Sequence, residues 1–283
     1  MKVWFDMRTV ALFSGLISFV LCFCMLFIYI SRKTYKGFLF WVIASFLNAL
    51  GLMLLSLRSY LPDFITIVTA NTLIISSAGL IAYGLEVFYG DKGKKQYYIS
   101  ASIMIFISLI YFTYRDPDVN ARIVIISSVW SLLFSYCLYI IYRRTLRQYK
   151  EKNLLLSGSL IFLIIANLYR IFPTVFYEGK IIDFMDASVI QGILLEINLL
   201  AHIFIATGLI VLNFQRVEYD LNTVLREIKT LRGIIPICAN CKNIRNDEGV
   251  WRQLESYIEE HSEVEFFSHG ICPECTKKLY PEV

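Results

Sequence analysis

Charged side chains are scarce in this sequence. Asp, Glu, Lys and Arg make up 18% of its 283 residues, whereas 57% are hydrophobic. An ordinary soluble domain carries about a quarter charged residues. This much apolar side chain would overfill a soluble core, so the surplus must face lipid. The composition therefore predicts a membrane protein.

Glycine, proline and cysteine are also too few for several classes of protein. The 14 glycines and 6 prolines exclude collagen-like and low-complexity chains, and seven cysteines in so long a sequence exclude a secreted disulfide scaffold. The net charge of +4 is too small to indicate a nucleic-acid partner. No partner of that class is expected.

Long apolar runs are what the sequence does contain. About 20 apolar residues cross a hydrocarbon core of about 30 Å as a helix. The first run is longer than the apolar region of a signal peptide, so we expect it to remain as an anchor. We predict an all-α polytopic membrane protein with a seven-helix transmembrane bundle over residues 1–212. The predicted spans are 9–30, 37–57, 64–89, 97–114, 121–142, 154–177 and 189–212.

Basic residues alternate between the loops of this predicted bundle. The richer loops follow the first, third and fifth spans, and the opposite loops hold fewer Lys and Arg. Because Lys and Arg accumulate on the cytoplasmic side, the N-terminus is predicted outside and the C-terminus in the cytoplasm. The richer loops contain Arg32, Lys33, Lys36, Lys92, Lys94, Lys95, Arg143, Arg144, Arg147, Lys150 and Lys152.

Residues 213–232 change abruptly to a mixed-charge stretch with apolar residues at alternating steps of three and four. This heptad pattern predicts a coiled-coil linker helix. A lone helix this short is marginal in water, so a second copy of the chain is the expected partner, giving a homodimer; the alternative is packing on the chain's own C-terminal module. The predicted seam is Phe214, Val217, Leu221, Val224, Ile228 and Leu231.

Residues 233–283 form a module too small for a sufficient hydrophobic core. Two CxxC pairs, Cys238 with Cys241 and Cys272 with Cys275, offer four thiolates to one tetrahedral metal. Structural Zn²⁺ is the favoured cofactor, and iron or a redox-active dithiol is the alternative. His269 could replace one cysteine as a ligand or hydrogen-bond a thiolate.

The stretch between the two pairs is predicted to contain a helix from Trp251 to His261. The module as a whole has five basic and nine acidic residues. Since nucleic-acid binding requires the opposite sign, we expect this zinc-ribbon-like module to contact a cytoplasmic signalling protein.

Polar residues within spans are costly and often functional. Arg170 and Glu196 lie at one depth by the 1.5 Å rise per residue, which predicts an ion pair that either locks two helices or borders a ligand pocket. Gln191, Asn198 and His202 follow one face of the last span. The full predicted polar network is Arg170, Glu196, His202, Asn198, Gln191 and Asn167.

Two parts of the chain resemble known bacterial modules. The first half, with DMRTVALFSGLISF, SRKTYKGFLFW and LLSLRSYLPDF, resembles the multi-helix membrane input modules of diguanylate cyclases and sensor histidine kinases. The tail, LRGIIPICANCKNIRNDEGVWRQLESYIEEHSEVEFFSHGICPECTKKLYP, is similar to a short four-cysteine tail of PAS-domain and response-regulator proteins. The resemblance implies a dimeric signal-transduction protein of the bacterial inner (cytoplasmic) membrane.

The sequence departs from those signalling proteins because no GG(D/E)EF segment, kinase core or PAS-sized insert fits between Leu212 and Gly233. The leading hypothesis is therefore a membrane sensor without a catalytic domain, surrounded by lipid, that binds a small-molecule or lipid ligand and acts on a separate partner. The alternative is a small transporter or channel with a polar path on the sixth and seventh spans.

Overall fold

The structure is a computed structural model. It describes residues 7–93, 95–145, 153–177, 179, 181, 184, 189–232, 236–246, 249–261 and 270–280. The predicted seam residues Ile228 and Leu231 belong to this part by their backbone only, and His269 lies outside it. The chain divides into two compact units, Met1–Tyr219 and Asp220–Val283.

Within the described residues, seven helices are long and apolar enough to cross a membrane. This confirms the predicted number of spans and the helical class of the bundle. A π-helical turn, Phe64–Thr69, leads into the third helix, and another, Tyr111–Arg115, follows the fourth. The helices are α1 Met7–Ser31, α2 Phe38–Ser56, α3 Ala70–Phe88, α4 Lys95–Ile110, α5 Val119–Thr145, α6 Leu154–Phe176 and α7 Val189–Arg232.

Large apolar side chains cover the outside of the bundle. Phe23 is 65% exposed and Leu132 is 71% exposed, and similar residues recur on α1, α4, α5 and α6. A water-soluble monomer rarely exposes so large an apolar surface. These faces are suited to contact with lipid tails, which agrees with a multi-pass membrane protein.

Helix α3 lies centrally, in contact with α2, α4 and α5. Its close packing on α2 depends on Gly84, because a methyl group there would collide with the indole of Trp41. Trp41 is fully buried, and its Nε1 donates to the carbonyl of Ile81 at 3.3 Å. The indole and the glycine thus fit each other across the helix pair.

The short connections place alternate helix ends together. The end of the bundle at which α1 begins also carries the C-terminal ends of α2 and α6 and the N-terminal ends of α5 and α7. We name it the Met7 end, and the opposite end the Ser31 end.

Helix α7 runs without interruption for 44 residues. At 1.5 Å per residue it is about 66 Å long, roughly twice the thickness of a hydrocarbon core. The predicted span 189–212 and the predicted linker 213–232 are therefore one element. The break between the two compact units falls within this helix, at Tyr219.

The second unit contains the end of α7 and small elements of regular structure. Strand β1, Ile244–Arg245, pairs antiparallel with β2, Trp251–Arg252, and two short helices follow, α8 Leu254–His261 and α9 Pro273–Leu279. The prediction of a helix starting at Trp251 is wrong by three residues. Trp251 instead lies opposite Arg245 in the hairpin, because strand pairing there takes precedence over the helical spacing of the apolar residues.

Candidate functional site

A buried polar cluster joins α6 to α7 near the Met7 end. The Nε of Arg170 donates to Oε1 of Gln191 at 2.7 Å, and Nε2 of Gln191 donates to the hydroxyl of Thr174 at 3.1 Å. That hydroxyl in turn donates to the carbonyl of Arg170 at 2.8 Å. Hydrogen bonding of this kind offsets the cost of burying the three side chains.

A second contact joins the same helices further from the Met7 end. Nδ2 of Asn167 donates to the carbonyl of Leu163 at 2.9 Å and lies 3.3 Å from Oδ1 of Asn198. Nδ2 of Asn198 donates to the carbonyl of Leu194 at 2.6 Å. The structure therefore brings together four residues of the predicted network, Asn167, Arg170, Gln191 and Asn198.

Glu196 does not belong to this network. Its side chain is exposed, and within the described residues Arg170 donates to Gln191 and forms no ion pair with Glu196. Glu196 lies five positions after Gln191, which rotates it by about 140° around the helix. The prediction of an Arg170 to Glu196 ion pair is wrong because equal depth along two helices does not imply that the side chains face each other.

A central cavity adjoins the Asn167 and Asn198 contact. Its wall includes Asn48, Asn198 and His202. Nδ2 of Asn48 donates to the hydroxyl of Ser18 at 3.2 Å. The Nε2 atom of His202 is buried and hydrogen-bonds to no residue in the described part of the chain. His202 thus adds a polar atom to a largely apolar chamber.

A second cavity lies at the Met7 end of the bundle. Three arginines line it: Arg58 after α2, Arg122 on α5 and Arg170 on α6. Each is at most 8% exposed. Its wall also includes Trp130, which borders the central cavity as well.

Sequence reasoning missed Arg58 and Arg122 as site residues. Both were counted only among the charges of the loops that hold fewer Lys and Arg. The structure shows that Nη1 of Arg122 lies 3.3 Å from the hydroxyl of Thr113.

In the second unit, the first cysteine pair occupies a tight turn and the second pair lies at the N-terminal end of α9. After Cys238 the chain folds back, with the amide of Lys242 donating to the carbonyl of Cys238 at 3.0 Å. Lys242 takes a left-handed conformation, φ 63°. Cys272 immediately precedes α9, and the amide of Thr276 donates to its carbonyl at 2.9 Å.

The backbone of each turn favours a thiolate. Hydrogen bonding from the backbone of Cys241 lowers the pKa of Cys238, and that of Cys275 lowers the pKa of Cys272. Lowered thiol pKa values suit metal ligation. Within the described residues, however, no three His, Cys, Asp or Glu side chains are gathered into one ligand group. The four-cysteine zinc site stays a prediction.

The predicted coiled-coil seam is partly visible. Phe214, Leu221 and Val224 are 42%, 57% and 50% exposed, and Val217 is half-buried. These side chains leave an apolar stripe along α7 that a second surface could cover.

Where α7 reaches the Ser31 end, the loop between α1 and α2 holds it. Oδ1 of Asn213 accepts from the amide of Tyr35 at 3.1 Å, and its Nδ2 donates to the carbonyl of Lys33 at 3.3 Å. The guanidinium of Arg216 lies over the rings of Tyr35 and Phe88 and donates to the carbonyl of Phe88. Sequence reasoning did not identify this anchor.

Comparisons with protein families, with curated proteins and with solved structures find no match to this chain.

Proposed function

We propose that the chain is a receptor-like sensor of the bacterial cytoplasmic membrane. In this proposal the seven-helix bundle binds a ligand and α7 transmits the signal to a cytoplasmic tail. The observation that carries it is the continuity of α7, a single helix of 44 residues. Its N-terminal part bears Gln191 and Asn198, which take part in the buried polar contacts, and the helix continues from there without a break. A continuous helix that belongs to both units can transmit a displacement of the bundle to the tail.

The tail supports the proposal through its chemistry. The lowered thiol pKa values and the two CxxC turns suit one Zn²⁺ held by Cys238, Cys241, Cys272 and Cys275. Such a metal would stabilise the small unit and leave its acidic surface for a cytoplasmic signalling partner.

Dimerisation is the second part of the proposal. The exposed seam of α7 would be covered by the same seam of a second chain, so that a shift of either bundle alters the packing of the pair. Light scattering on the full-length chain in nanodiscs tests this. Two chains per particle are expected for the wild type.

Two single substitutions that each add one negative charge sharpen that experiment. Leu221→Asp lies on the seam and should give one chain per particle, whereas Asn222→Asp, exposed beside it, should leave the dimer intact. A wild type with one chain per particle, or a Leu221→Asp variant that stays dimeric, would remove the seam from the mechanism.

A transporter is the second candidate, favoured by the fact that the two cavities share Leu52, Ile74, Trp130 and Leu195 in their walls. A path along them would pass His202. Flux of a solute across proteoliposomes that is lost in His202→Phe would favour transport over sensing.

A further inference from the structure

Three buried arginines line one cavity at the Met7 end of the bundle. Arg58, Arg122 and Arg170 reach it from three different segments that lie far apart in the sequence. Each of these arginines also interacts within the protein, and a guanidinium has five N–H donors to share among several partners. An arrangement of this kind is typical of sites that bind negative charge, because the guanidinium fork matches carboxylate and phosphate oxygens.

The rest of the cavity wall is largely apolar. Leu52, Ile67, Ile74 and Leu195 contribute aliphatic surface. Binding sites for organic molecules combine mostly apolar walls with a few polar groups that fix orientation. A ligand with both an anionic group and an apolar part therefore matches this cavity better than an inorganic ion does.

Trp130 supplies an independent observation. Its indole Nε1 atom is buried and donates to no residue within the described part of the chain. A buried donor of this kind usually has a partner, often a ligand or water. Trp130 borders both cavities, so a molecule that extends from the arginines toward the central chamber would contact this side chain.

We propose that the cavity lined by Arg58, Arg122 and Arg170 binds an organic oxyanion, a carboxylate or phosphate group attached to an apolar part. The guanidinium groups hold the oxyanion, and the aliphatic wall with Trp130 holds the apolar part. This names the ligand class of the proposed receptor and rests on that function for its biological meaning. Binding itself is measured on the purified chain and does not depend on dimerisation or on the tail.

The test uses the full-length chain in nanodiscs of zwitterionic phosphatidylcholine. Hexanoate and hexyl phosphate are titrated, with neutral hexanamide as the matched control, and the fluorescence of Trp130 and the midpoint of thermal unfolding are followed. The fluorescence change is expected to disappear in Trp130→Phe. The two anions are expected to bind and to stabilise the protein, and hexanamide is not.

Substitutions identify the site. Arg122→Gln and Arg170→Gln should each weaken anion binding at least about tenfold, because a charge-assisted hydrogen bond is lost. Arg122→Lys keeps the charge but loses the forked guanidinium, so its anion affinity should lie between that of the wild type and that of Arg122→Gln. Arg115→Gln is the matched control, since Arg115 is an exposed arginine at the same end of the bundle. It should bind as the wild type does.

Two further arms separate the sources of the oxyanion. If anionic phosphatidylglycerol in the nanodiscs competes with hexanoate, the natural ligand class is a lipid headgroup; if it does not, the ligand is a soluble organic anion. A variant that combines Asp183→Asn and Asp186→Asn, two residues between α6 and α7 in the sequence, tests whether the chain's own carboxylates compete with added anions for the arginines.

Three results would overturn the proposal. One is a wild type that fails to distinguish both anions from hexanamide. Another is anion binding that is unchanged in Arg122→Gln and Arg170→Gln. The third is anion binding that arises only after Asp183 and Asp186 are neutralised, which would mean that the arginines bind carboxylates of the same chain and no external anion. Loss of dimerisation with anion binding intact would count against the proposed signalling mechanism and not against this site.

Discussion

The guanidinium of Arg216, on α7, lies 4.1 Å from the centroid of the ring of Tyr35. Tyr35 belongs to the loop between α1 and α2. One turn earlier in α7, Asn213 is fully buried and bonds the backbone on both sides of Thr34, at Lys33 and at Tyr35. Together these contacts hold α7 against the bundle at the Ser31 end. Any movement of α7 that passes along the helix must therefore strain or release this loop.

The anchor predicts a local change in hydrogen exchange. In Asn213→Ala, the amide of Tyr35 loses its acceptor, so exchange of the segment 33–37 should accelerate about tenfold. Hydrogen–deuterium exchange measured by mass spectrometry checks this. Glu218→Ala, an exposed position on the same helix, should leave exchange of that segment unchanged; an equal effect of both substitutions would argue against the anchor.

The Arg170 to Gln191 hydrogen bond predicts unequal effects of two substitutions on α7. Gln191→Ala removes a bond to a buried guanidinium and another to Thr174, and should lower the free energy of unfolding by about 2–3 kcal/mol. Glu196→Gln alters an exposed side chain and should change it by less than about 0.5 kcal/mol. Denaturation of the detergent-solubilised chain measures both. The structure would be wrong at this contact if Glu196→Gln were the more damaging change.

The contact between Gly84 and Trp41 predicts a steric effect. Gly84→Ala places a methyl group against a fully buried indole, and overpacking of this kind costs about 1–3 kcal/mol of stability. Gly158→Ala on α6 meets no atom within 4 Å. It should leave stability unchanged or raise it by up to about 1 kcal/mol, since alanine favours the helix. Thermal unfolding of the two variants, compared under one condition, gives the answer.

The cysteine turns predict a metal content. Purified full-length protein should carry about one Zn²⁺ per chain, as a closed four-thiolate site requires. Changing Cys238 and Cys272 together to serine should remove it, while Cys24→Ser, an exposed cysteine in α1, should not. Elemental mass spectrometry measures the ratio. Iron in place of zinc, or disulfides without metal, would make the tail a redox element and not a zinc module.

The sequence predicted what depends on contiguous residues. The number of spans follows from apolar runs, and each run is visible in one stretch of chain. The sequence did not predict which way a side chain faces around its helix axis, as the exposed Glu196 shows. The sequence also did not show where distant segments meet: Arg58, Arg122 and Arg170 share a cavity only because the C-terminal ends of α2 and α6 meet the N-terminal end of α5.

The tail shows a similar limit. The two CxxC pairs are local and visible in the sequence, whereas their use as one metal site stays a prediction. The hairpin of β1 and β2 was not identified, because a pairing of two residues per strand has no periodic signature of its own. Trp251 was assigned to a helix for that reason.

The central claim is that α7 couples the buried polar contacts of the bundle to the tail, and hydrogen–deuterium exchange of residues 236–280 in the full-length chain tests it most directly. Asn198→Ala removes the contact with Asn167, and the account predicts a change of about twofold or more in the exchange rate of the tail. Inserting two glycines after Tyr219, within α7, should abolish that change. Exchange of α1 to α3 serves as the check that the bundle remains folded. Tail exchange that is identical in the wild type and Asn198→Ala, with the bundle intact, would contradict the account.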